Sequence, residues 1–380
     1  MIYLDYAAAT PVSPKAKAAM EPYFAEQFFN PSAPYLPAKH VRDAYNQAKD
    51  NIAHTIGAKG ADLVITAGAT ESINLAFTAC RSHALILATE HPSVRAAAGQ
   101  HQVAEINVDK TGLIDLKDFK AKLTDKVDFV SISLANGELG TIQPMAEISA
   151  IIREERQRRI KQGIKTKLIF HSDASQALHL MDISVARLGV DLLTLNAAKV
   201  YGPKGVGALY VSHEVQLKPI VHGGGQELGL RSGTENVPGV IGFAAAATEA
   251  KKHLSSARKN YQNLVKILRT ELKKAKIEPL FLGNQKHQLA NFCPVSFPGL
   301  DAERLIFKLE EQEIYLSTGA ACAASKGEKS HALTAIGLSD EEIAGSLRIT
   351  LGTATTEADI KHAATAIVQA VEEEYDRQNS

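Results

Sequence analysis

The fold class that the sequence predicts is α/β: a three-layer domain with a mainly parallel sheet, followed by a smaller α+β region. From residue 60 onward, short runs rich in Val, Ile and Leu alternate with helix-like stretches. Strands that are buried on both faces have such continuous apolar runs, and helical connections join parallel neighbours. The runs are Leu63–Thr66, Ala84–Ala88, Val127–Ser131, Lys167–Phe170, Asp191–Leu195 and Gly207–Val211.

Two details of this large domain depart from a simple alternation. Ser13 followed by Pro14 is typical of a helix start, and the helix is expected to run to about Phe29. The last run, Gly207–Val211, follows Leu195 after a short Gly/Pro turn. So short a connection predicts that one strand pair is antiparallel.

The pattern changes after Asn236, where a long helical stretch runs to about Lys276. It is followed by a strand-like run, a helix-like run, a second strand-like run and a closing helix. These are Ala290–Phe297, Ala302–Glu313, Ser346–Leu351 and a helix whose apolar stripe is Ile360, Ala364, Ile367, Val368, Val371 and Tyr375. We expect a large domain over 13–253 and a small one over 254–380, against which residues 1–12, with the extended start Ile2–Tyr6, also pack.

Composition excludes several classes of protein. The 380 residues carry 42 basic and 42 acidic side chains, which argues against direct nucleic-acid binding as the main function. No apolar run reaches the length of a membrane span, and the start of the sequence has the features of neither a signal nor a transit peptide. Three cysteines, widely spaced and without a CxxC pair, predict neither a disulfide framework nor a cysteine-based metal site. We expect a cytoplasmic protein with reduced thiols.

Three segments have the residue types that a phosphorylated aldehyde cofactor needs. The turn Thr66–Ser72 has small residues between a strand and a helix, where backbone N–H groups bind anions. Asp173 ends a buried strand, and its carboxylate needs a cationic or donor partner such as a protonated pyridine nitrogen. Lys199 follows an apolar strand, and a lysine in an apolar site is a nucleophile for an aldehyde.

Each segment also has a plainer interpretation. The turn could be an ordinary strand-to-helix connection, Asp173 could cap the next helix, and Lys199 could be a solvated lysine at a strand end. Their order on successive βα units favours the chemical interpretation. It is the layout of pyridoxal-phosphate (PLP) enzymes of the aspartate-aminotransferase type.

The sequence resembles the cysteine desulfurases of the class V aminotransferase family, of the NifS/IscS type. The resemblance covers nearly the whole chain. The matching motifs are Tyr3–Pro11, Gly68–Ser72, Thr89–His91, His171–Gln176, Lys199–Gly205, His222–Glu227, Arg231–Thr234, Ser317–Cys322 and Arg348.

The resemblance implies a PLP site with specific roles. Lys199 would hold PLP as a Schiff base and move protons, and His91 would stack on the ring and act in proton transfer. Asp173 would pair with the pyridine nitrogen, and Gln176 would bond the phenolic oxygen. Ala69 and Thr70 would hold the phosphate.

The resemblance also implies a substrate site, a homodimer and a sulfur acceptor. Arg348 would hold the carboxylate of L-cysteine, with Asn30 nearby. Thr234 would reach the phosphate of the partner subunit. Cys322 would accept sulfur as a persulfide and pass it to another protein, either an iron–sulfur scaffold or a tRNA-thiolation protein. Cys80 and Cys293 lie in apolar surroundings and are interpreted as packing residues.

Two departures from the family pattern leave the function open. The family's Ser-x-His before the lysine is replaced by Asn196 and Ala198, of which Asn196 can still donate a hydrogen bond. The second Asn of the family's Asn-Asn-Glu motif is replaced by Gly137, for which Asn136 would substitute if its loop shifted. We therefore keep three hypotheses: an active PLP-dependent desulfurase, a degenerate relative acting as a binding or scaffold partner, and a PLP lyase or aminotransferase for another amino acid.

Overall fold

The computed structural model describes residues 1–319 and 329–379. Its strands are β1 (Ile2–Tyr3), β2 (Leu63–Thr66), β3 (His83–Leu87), β4 (Gln102–Ile106), β5 (Val127–Ser131), β6 (Ile169–Asp173), β7 (Leu192–Asn196), β8 (Gly207–Val211), β9 (Leu280–Phe281), β10 (Phe292–Ser296), β11 (Ile314–Tyr315), β12 (Ser317–Thr318) and β13 (Ser346–Thr350). Its α-helices are α1 (Pro14–Met20), α2 (Pro22–Ala25), α3 (Leu36–Thr55), α4 (Ala69–Phe77), α5 (Pro92–Ala98), α6 (Leu116–Lys122), α7 (Met145–Lys161), α8 (Val185–Leu188), α9 (Val237–Leu272), α10 (Ala302–Glu310), α11 (His331–Ala335), α12 (Asp340–Ala344) and α13 (Glu357–Gln378).

The central sheet confirms the predicted fold class. Within the described residues it has seven strands in the order β2-β8-β7-β6-β5-β3-β4. The strands from β7 to β4 pair in parallel, whereas β8 is antiparallel to both β7 and β2. The predicted antiparallel pairing of β7 with β8 is therefore confirmed, and the pairing of β8 with β2 adds a second one.

Alternating side chains of the sheet pack into two different core clusters. Val64 and Leu192 pack with α4 and α5, whereas their neighbours Ile65 and Leu193 pack with α3 and the first half of α9. Successive side chains of a strand point to opposite faces, so this alternation places a helical layer on each face of the sheet.

The helix expected from Ser13 to Phe29 is wrong in its extent. Ser13 caps α1 as predicted, and its side chain accepts a hydrogen bond from the N–H of Ala16. The helix then ends at Met20, and a separate short helix begins at Pro22. Proline has no N–H to donate to the preceding turn, so Pro22 interrupts the helix.

The C-terminal part of the chain forms a second sheet. In the described residues its order is β12-β13-β10-β9, with antiparallel pairs throughout. β1 pairs in parallel with β11, so the extended start of the chain packs against this part, as predicted. In α13, Ile360, Ala364, Ile367 and Val371 are buried as expected, whereas Tyr375 is exposed.

The helix α9 connects the two packing regions. Its first half contributes Val240 and Phe243 to the core of the large sheet, and its second half contributes Leu264 and Leu268 to the core of the small sheet. The domain boundary predicted at residue 253 falls inside this helix, and the division remains a proposal. In the described part of the chain, no helix is both long and apolar enough to cross a membrane.

Candidate active site

A cavity of about 1040 Å³ opens at the carboxyl ends of the parallel strands. Ligands bind at this edge in open α/β sheets. Most of the residues predicted for the site line this one cavity. They are Ala69, Thr70, His91, Asn136, Asp173, Gln176, Asn196, Lys199 and Arg348.

The turn between β2 and α4 forms one wall of the cavity. Its Gly68 has φ of +151° and lies against Gly207 of β8, where a Cβ would meet Gly68 Cα at 2.7 Å. The two glycines let the turn lie directly on the sheet. The N–H of Ala67 donates to Glu71 (2.8 Å), whose other carboxylate oxygen accepts from Arg231 (3.0 Å). Arg231 thus neutralises the acidic side chain of the first turn, where free N–H groups favour an anion.

Asp173 is the last residue of β6, as the sequence predicts, and it is buried. Its Oδ1 accepts hydrogen bonds from the backbone N–H of Ser175 (2.9 Å) and from the Ser175 hydroxyl (2.6 Å). The carboxylate therefore stabilises the turn that follows β6. The interpretation of Asp173 as a helix cap is wrong, because the next helix, α8, begins only at Val185. Gln176 lies beyond this turn and donates to the carbonyl of Ala7 (3.0 Å).

Lys199 ends the single helical turn Ala197–Lys199 that follows β7. Its Nζ donates to the carbonyl oxygens of Ala7 (2.6 Å) and Ala8 (2.5 Å). The residue is half-buried, and both carbonyl partners belong to the N-terminal segment. The lysine is therefore held in the cavity wall rather than solvated at a strand end.

His91 is the N-cap of α5 and lies at the exposed edge of the cavity. Its Nδ1 accepts from the N–H of Ser93 (3.1 Å), which assigns the proton of the neutral ring to Nε2. Loss of water around the ring lowers the pKa of His91, although the charge of Asp173 acts in the opposite direction. The neutral ring therefore has Nε2–H as its donor, and its acceptor nitrogen Nδ1 is engaged by Ser93.

The two departures from the family pattern lie in the cavity wall. Ala198 and Gly137 both line the cavity, and a Cβ on Gly137 would lie 3.4 Å from Gln176 Nε2. The side chain of Asn136 makes other hydrogen bonds. Its Nδ2 donates to the carbonyl of Thr89 (2.7 Å), and its Oδ1 accepts from the N–H groups of Glu138 and Leu139 (both 2.8 Å). With these bonds in place, Asn136 does not replace a side chain at position 137.

Arg348 projects from β13 and is almost completely buried. Its Nη2 donates to Asp5 (2.8 Å), and its Nη1 donates to the carbonyl of Gly137 (3.3 Å). Burial raises the pKa of Asp5, and the charges of Arg348 and Lys199 counteract this shift. The sequence motif included Asp5 without giving it a role.

Two expected site residues are not among the described residues that line the cavity, and a third lies outside the described part of the chain. Asn30 is exposed and accepts a hydrogen bond from the N–H of Ser32 (2.9 Å). Thr234 is also exposed, in the segment after Arg231. Cys322 lies outside the described residues.

Two buried carboxyl groups beside the cavity were missed by the sequence reasoning. Glu90 is fully buried, accepts from the Ser133 N–H (2.6 Å) and hydroxyl, and has its pKa raised by burial to about 8. Glu138 accepts from the Ser330 hydroxyl (2.5 Å), and burial raises its pKa as well. A glutamate directly before His91 was the available signal, but burial cannot be read from one residue.

Cys80 and Cys293 are both buried, as expected of packing residues. The Cys80 thiol donates to Asp128 (3.3 Å), and burial raises its pKa to about 12. Burial raises the pKa of Cys293 to about 11. Neither is a thiolate at neutral pH. No cluster of three or more His, Cys, Asp or Glu within residues 1–319 and 329–379 is arranged to hold a metal ion.

The donor set in this cavity fits pyridoxal phosphate. A helix N-terminus with a small-residue turn is suited to a phosphate, a lysine amine to an aldehyde, and a buried carboxylate at a strand end to a pyridinium nitrogen. α4, Lys199 and Asp173 supply these three groups to one cavity.

Comparison with protein families gives a match to the class V aminotransferases over residues 2–362. Among curated proteins, a cysteine desulfurase IscS 1 from Archaeoglobus fulgidus is 38% identical over 374 residues, which cover 95% of this chain and 94% of the relative. A cysteine desulfurase IscS from Dictyoglomus turgidum is 34% identical and covers 98% of this chain and 94% of its own.

Among solved structures, a NifS-like protein from Rickettsia africae is similar with a TM-score of 0.86 and 29% identity, covering 99% of both chains. A structure described as SspA in complex with cysteine has a TM-score of 0.79 and 32% identity, and covers 92% of this chain and 99% of its own. The similarity thus extends over the large and the small sheet.

Proposed function

Because this chain belongs to the class V aminotransferase family, we propose that it is a PLP-dependent cysteine desulfurase. It converts L-cysteine to L-alanine and passes the sulfur, as a persulfide, to an acceptor protein. The observation that carries the proposal is the single cavity in which Lys199, Asp173, the N-terminus of α4 and Arg348 meet. The relatives named cysteine desulfurase, and the neighbour solved with cysteine, support this choice of substrate.

The cofactor would be held by residues of three βα units. Lys199 would attach it covalently, Asp173 would pair with its ring nitrogen and Gln176 would bond its phenolic oxygen. Ala69 and Thr70, at the start of α4, would bind its phosphate, and Asn196 would add a donor. When bound, pyridoxal phosphate supplies an electron sink for bonds at the Cα of an amino acid.

The other residues would handle the substrate and its protons. Arg348 would bind the substrate carboxylate, since a guanidinium matches a carboxylate with two parallel hydrogen bonds. His91, with its lowered pKa, would accept and return protons at the exposed side of the cavity. Lys199 would move a proton at the substrate Cα.

The sulfur step has a simple balance. The Cβ–S bond of cysteine breaks, sulfur joins the thiol of Cys322 to form a persulfide, and Cβ gains a proton to give alanine. An acceptor thiol then takes the outer sulfur as its own persulfide, or a dithiol reductant releases it as sulfide and becomes a disulfide; either reaction restores the Cys322 thiol. The role of Cys322 is inferred from the sequence, since it lies outside the described residues.

The decisive assay incubates the PLP-loaded protein with L-cysteine and dithiothreitol and measures alanine and sulfide. We expect equal amounts of the two products, and we expect Cys322→Ala to lose sulfide release while retaining the cofactor absorbance. Cys293→Ala, which removes a buried thiol, is the matched control and should remain active.

Two results would contradict the proposal. A protein that stays colourless with added PLP, and in which borohydride fixes nothing on Lys199, would favour a binding or scaffold role. A loaded protein that releases no alanine from cysteine but turns over another amino acid would instead be a lyase or an aminotransferase.

A further inference from the structure

We propose that Asp5 is a positioning residue whose carboxylate fixes the Arg348 guanidinium to receive the carboxylate of the amino-acid substrate. The inference rests on the proposed function, because it concerns how that substrate is held. It gives a role to a residue far from Arg348 in the sequence, separated from it by 343 positions.

The two side chains form a buried ion pair. Arg348 Nη2 lies 2.8 Å from Asp5 Oδ1, and the side chains are only 8% and 17% exposed. The other contacts of the guanidinium in the described structure are neutral and longer, at 3.3 Å to the Gly137 carbonyl and 3.5 Å to the Ser317 hydroxyl. Asp5 is therefore the strongest constraint on the position of this cation.

The pair leaves part of the guanidinium available for a ligand. A guanidinium has five N–H donors. Within residues 1–319 and 329–379, the buried Nε of Arg348 has no hydrogen-bond partner. This nitrogen is closed to solvent, but the side chain lines the cavity, so a substrate carboxylate there is a fitting acceptor for guanidinium N–H groups that no described residue engages.

The backbone around Asp5 is itself fixed to β13. The N–H of Thr350 donates to the carbonyl of Leu4 (2.8 Å), and the N–H of Ala7 donates to the Thr350 hydroxyl (3.0 Å). Asp5 thus lies beside Thr350, which is two residues along β13 from Arg348.

The same segment also contacts the cofactor side of the cavity. Ala7 and Ala8 accept hydrogen bonds from Lys199 (2.6 and 2.5 Å), and Ala7 accepts one from Gln176 (3.0 Å). Residues 5–8 therefore set the distance between the arginine for the substrate and the lysine for the cofactor.

The test compares Asp5→Ala with Asp5→Asn. Breaking a buried ion pair leaves the cation without its partner. For Asp5→Ala we expect kcat/KM for L-cysteine to fall roughly 10- to 100-fold, mainly through KM, as for the loss of a binding contact. Asp5→Asn keeps an oxygen acceptor and should recover most of the loss. The double variant Asp5→Ala/Arg348→Ala should be no worse than Arg348→Ala alone.

A control variant separates this role from docking of the N-terminal strand. Glu313 forms an exposed ion pair with the terminal amine, 3.4 Å away, beside the β1–β11 pair. Glu313→Gln should keep the KM of the wild type. If Asp5→Ala lowers kcat with KM unchanged, or if Asp5→Asn is as poor as Asp5→Ala, the positioning role is wrong.

Crystal structures of the two Asp5 variants give a readout that does not depend on activity. We expect the guanidinium of Arg348 to move in Asp5→Ala and to stay in place in Asp5→Asn. An unmoved Arg348 in Asp5→Ala overturns the inference. Inactivity of the wild-type protein toward cysteine would instead overturn the proposed function, and the crystal structures would still decide the role of Asp5.

Discussion

Ala198 is the residue at which this chain departs most directly from its family, because it precedes Lys199 in the cavity wall. Its carbonyl accepts hydrogen bonds from the N–H and hydroxyl of Thr10 (3.1 and 3.0 Å), so the backbone at this position is fixed. The side chain itself is a methyl group and offers no hydrogen bond. The backbone at position 198 is therefore fixed, while its side chain supplies no hydrogen bond to the cavity.

We predict that Ala198→His increases the affinity for PLP. One added hydrogen bond to a charged phosphate is worth about 1 kcal/mol or more, so the Kd should fall about fivefold. Titration of the cofactor-free protein, followed by absorbance, measures this change. Ala61→His, at an exposed position that does not line the cavity, is the control and should leave the Kd unchanged. An unchanged or higher Kd for Ala198→His would show that position 198 does not face the phosphate.

At the residue scale, the sequence predicts where the site residues lie in the fold better than it predicts which residues they contact. The apolar runs predict that Asp173 and Lys199 lie at strand ends; Asp173 is the last residue of β6, whereas Lys199 ends the helical turn that follows β7. The pairing of Arg348 with Asp5 could not be predicted, because residues so far apart in sequence meet only through the pairing of β1 with β11 and of Leu4 with Thr350. The hydrogen bonds that Asn136 Oδ1 accepts within its own turn could not be predicted either, since they depend on local backbone geometry.

At the element scale, the sequence predicts the buried strands, including the edge strand β2, but not the exposed edge strand β4. β3 and β5 have apolar runs because both of their faces are covered. β4 (Gln102–Ile106) lies at the edge of the sheet, and its first four residues are exposed. An edge strand needs no continuous apolar run, so this part of the sequence gave no strand signal.

The turns after β6 and β7 contact each other through His179 and Tyr201. The two rings meet edge to face with centroids 5.8 Å apart. Neither ring nitrogen of His179 has a hydrogen-bond partner within the described part of the chain. Burial lowers the pKa of His179 from its ordinary 6.5 to about 4.

We predict that this histidine makes the fold sensitive to acid. The folded state holds the His179 ring in its neutral form. The contribution of this ring to the free energy of unfolding is therefore complete above pH 6.5 and is lost as the pH falls toward about 4. Between these two pH values, a histidine that is buried in its neutral form lowers the free energy of unfolding by about 1.4 kcal/mol for each unit by which the pH falls. His179→Phe should therefore flatten the fall of the melting temperature between pH 6.5 and 4.5.

The slope should not vanish in this variant, because burial also lowers the pKa of His171, to about 3. His213→Phe, at a position where the side chain is 88% exposed, is the matched control and should keep the slope of the wild type. If the melting temperature of His179→Phe falls with pH as steeply as that of the wild type, His179 is not buried in its neutral form.

At the scale of the whole molecule, Thr234 is an expected site residue that does not line the cavity of its own chain. It is exposed and is not among the residues that line the cavity. A residue that completes the site of a partner subunit would be exposed in the single chain and would lie away from that chain's own cavity. We expect the working form to be a homodimer with two such shared sites.

A mixture of two inactive variants tests this arrangement. Lys199→Ala removes the attachment point in its own chain, and Thr234→Asp places a negative charge against a phosphate in the site that it reaches. If Thr234 serves the partner, the mixed dimer has one intact site and should fix about half of the wild-type amount of PLP on borohydride reduction. A mixture of Lys199→Ala with Asp173→Ala, which damages both sites, is the control. No recovery in the first mixture would place Thr234 in the site of its own chain.

The pairing of the N-terminal segment with distant strands has a consequence for biosynthesis. Residues 2–8 leave the ribosome early, yet their partners in β11 and β13 are made more than 300 positions later. During translation the nascent chain can therefore complete the central sheet and α4, and Ala7 and Ala8 can meet Lys199, before Asp5 meets Arg348. The Asp5–Arg348 ion pair accordingly forms late in synthesis, and a chain stalled before β13 would hold Lys199 without Arg348, the arginine proposed to bind the substrate.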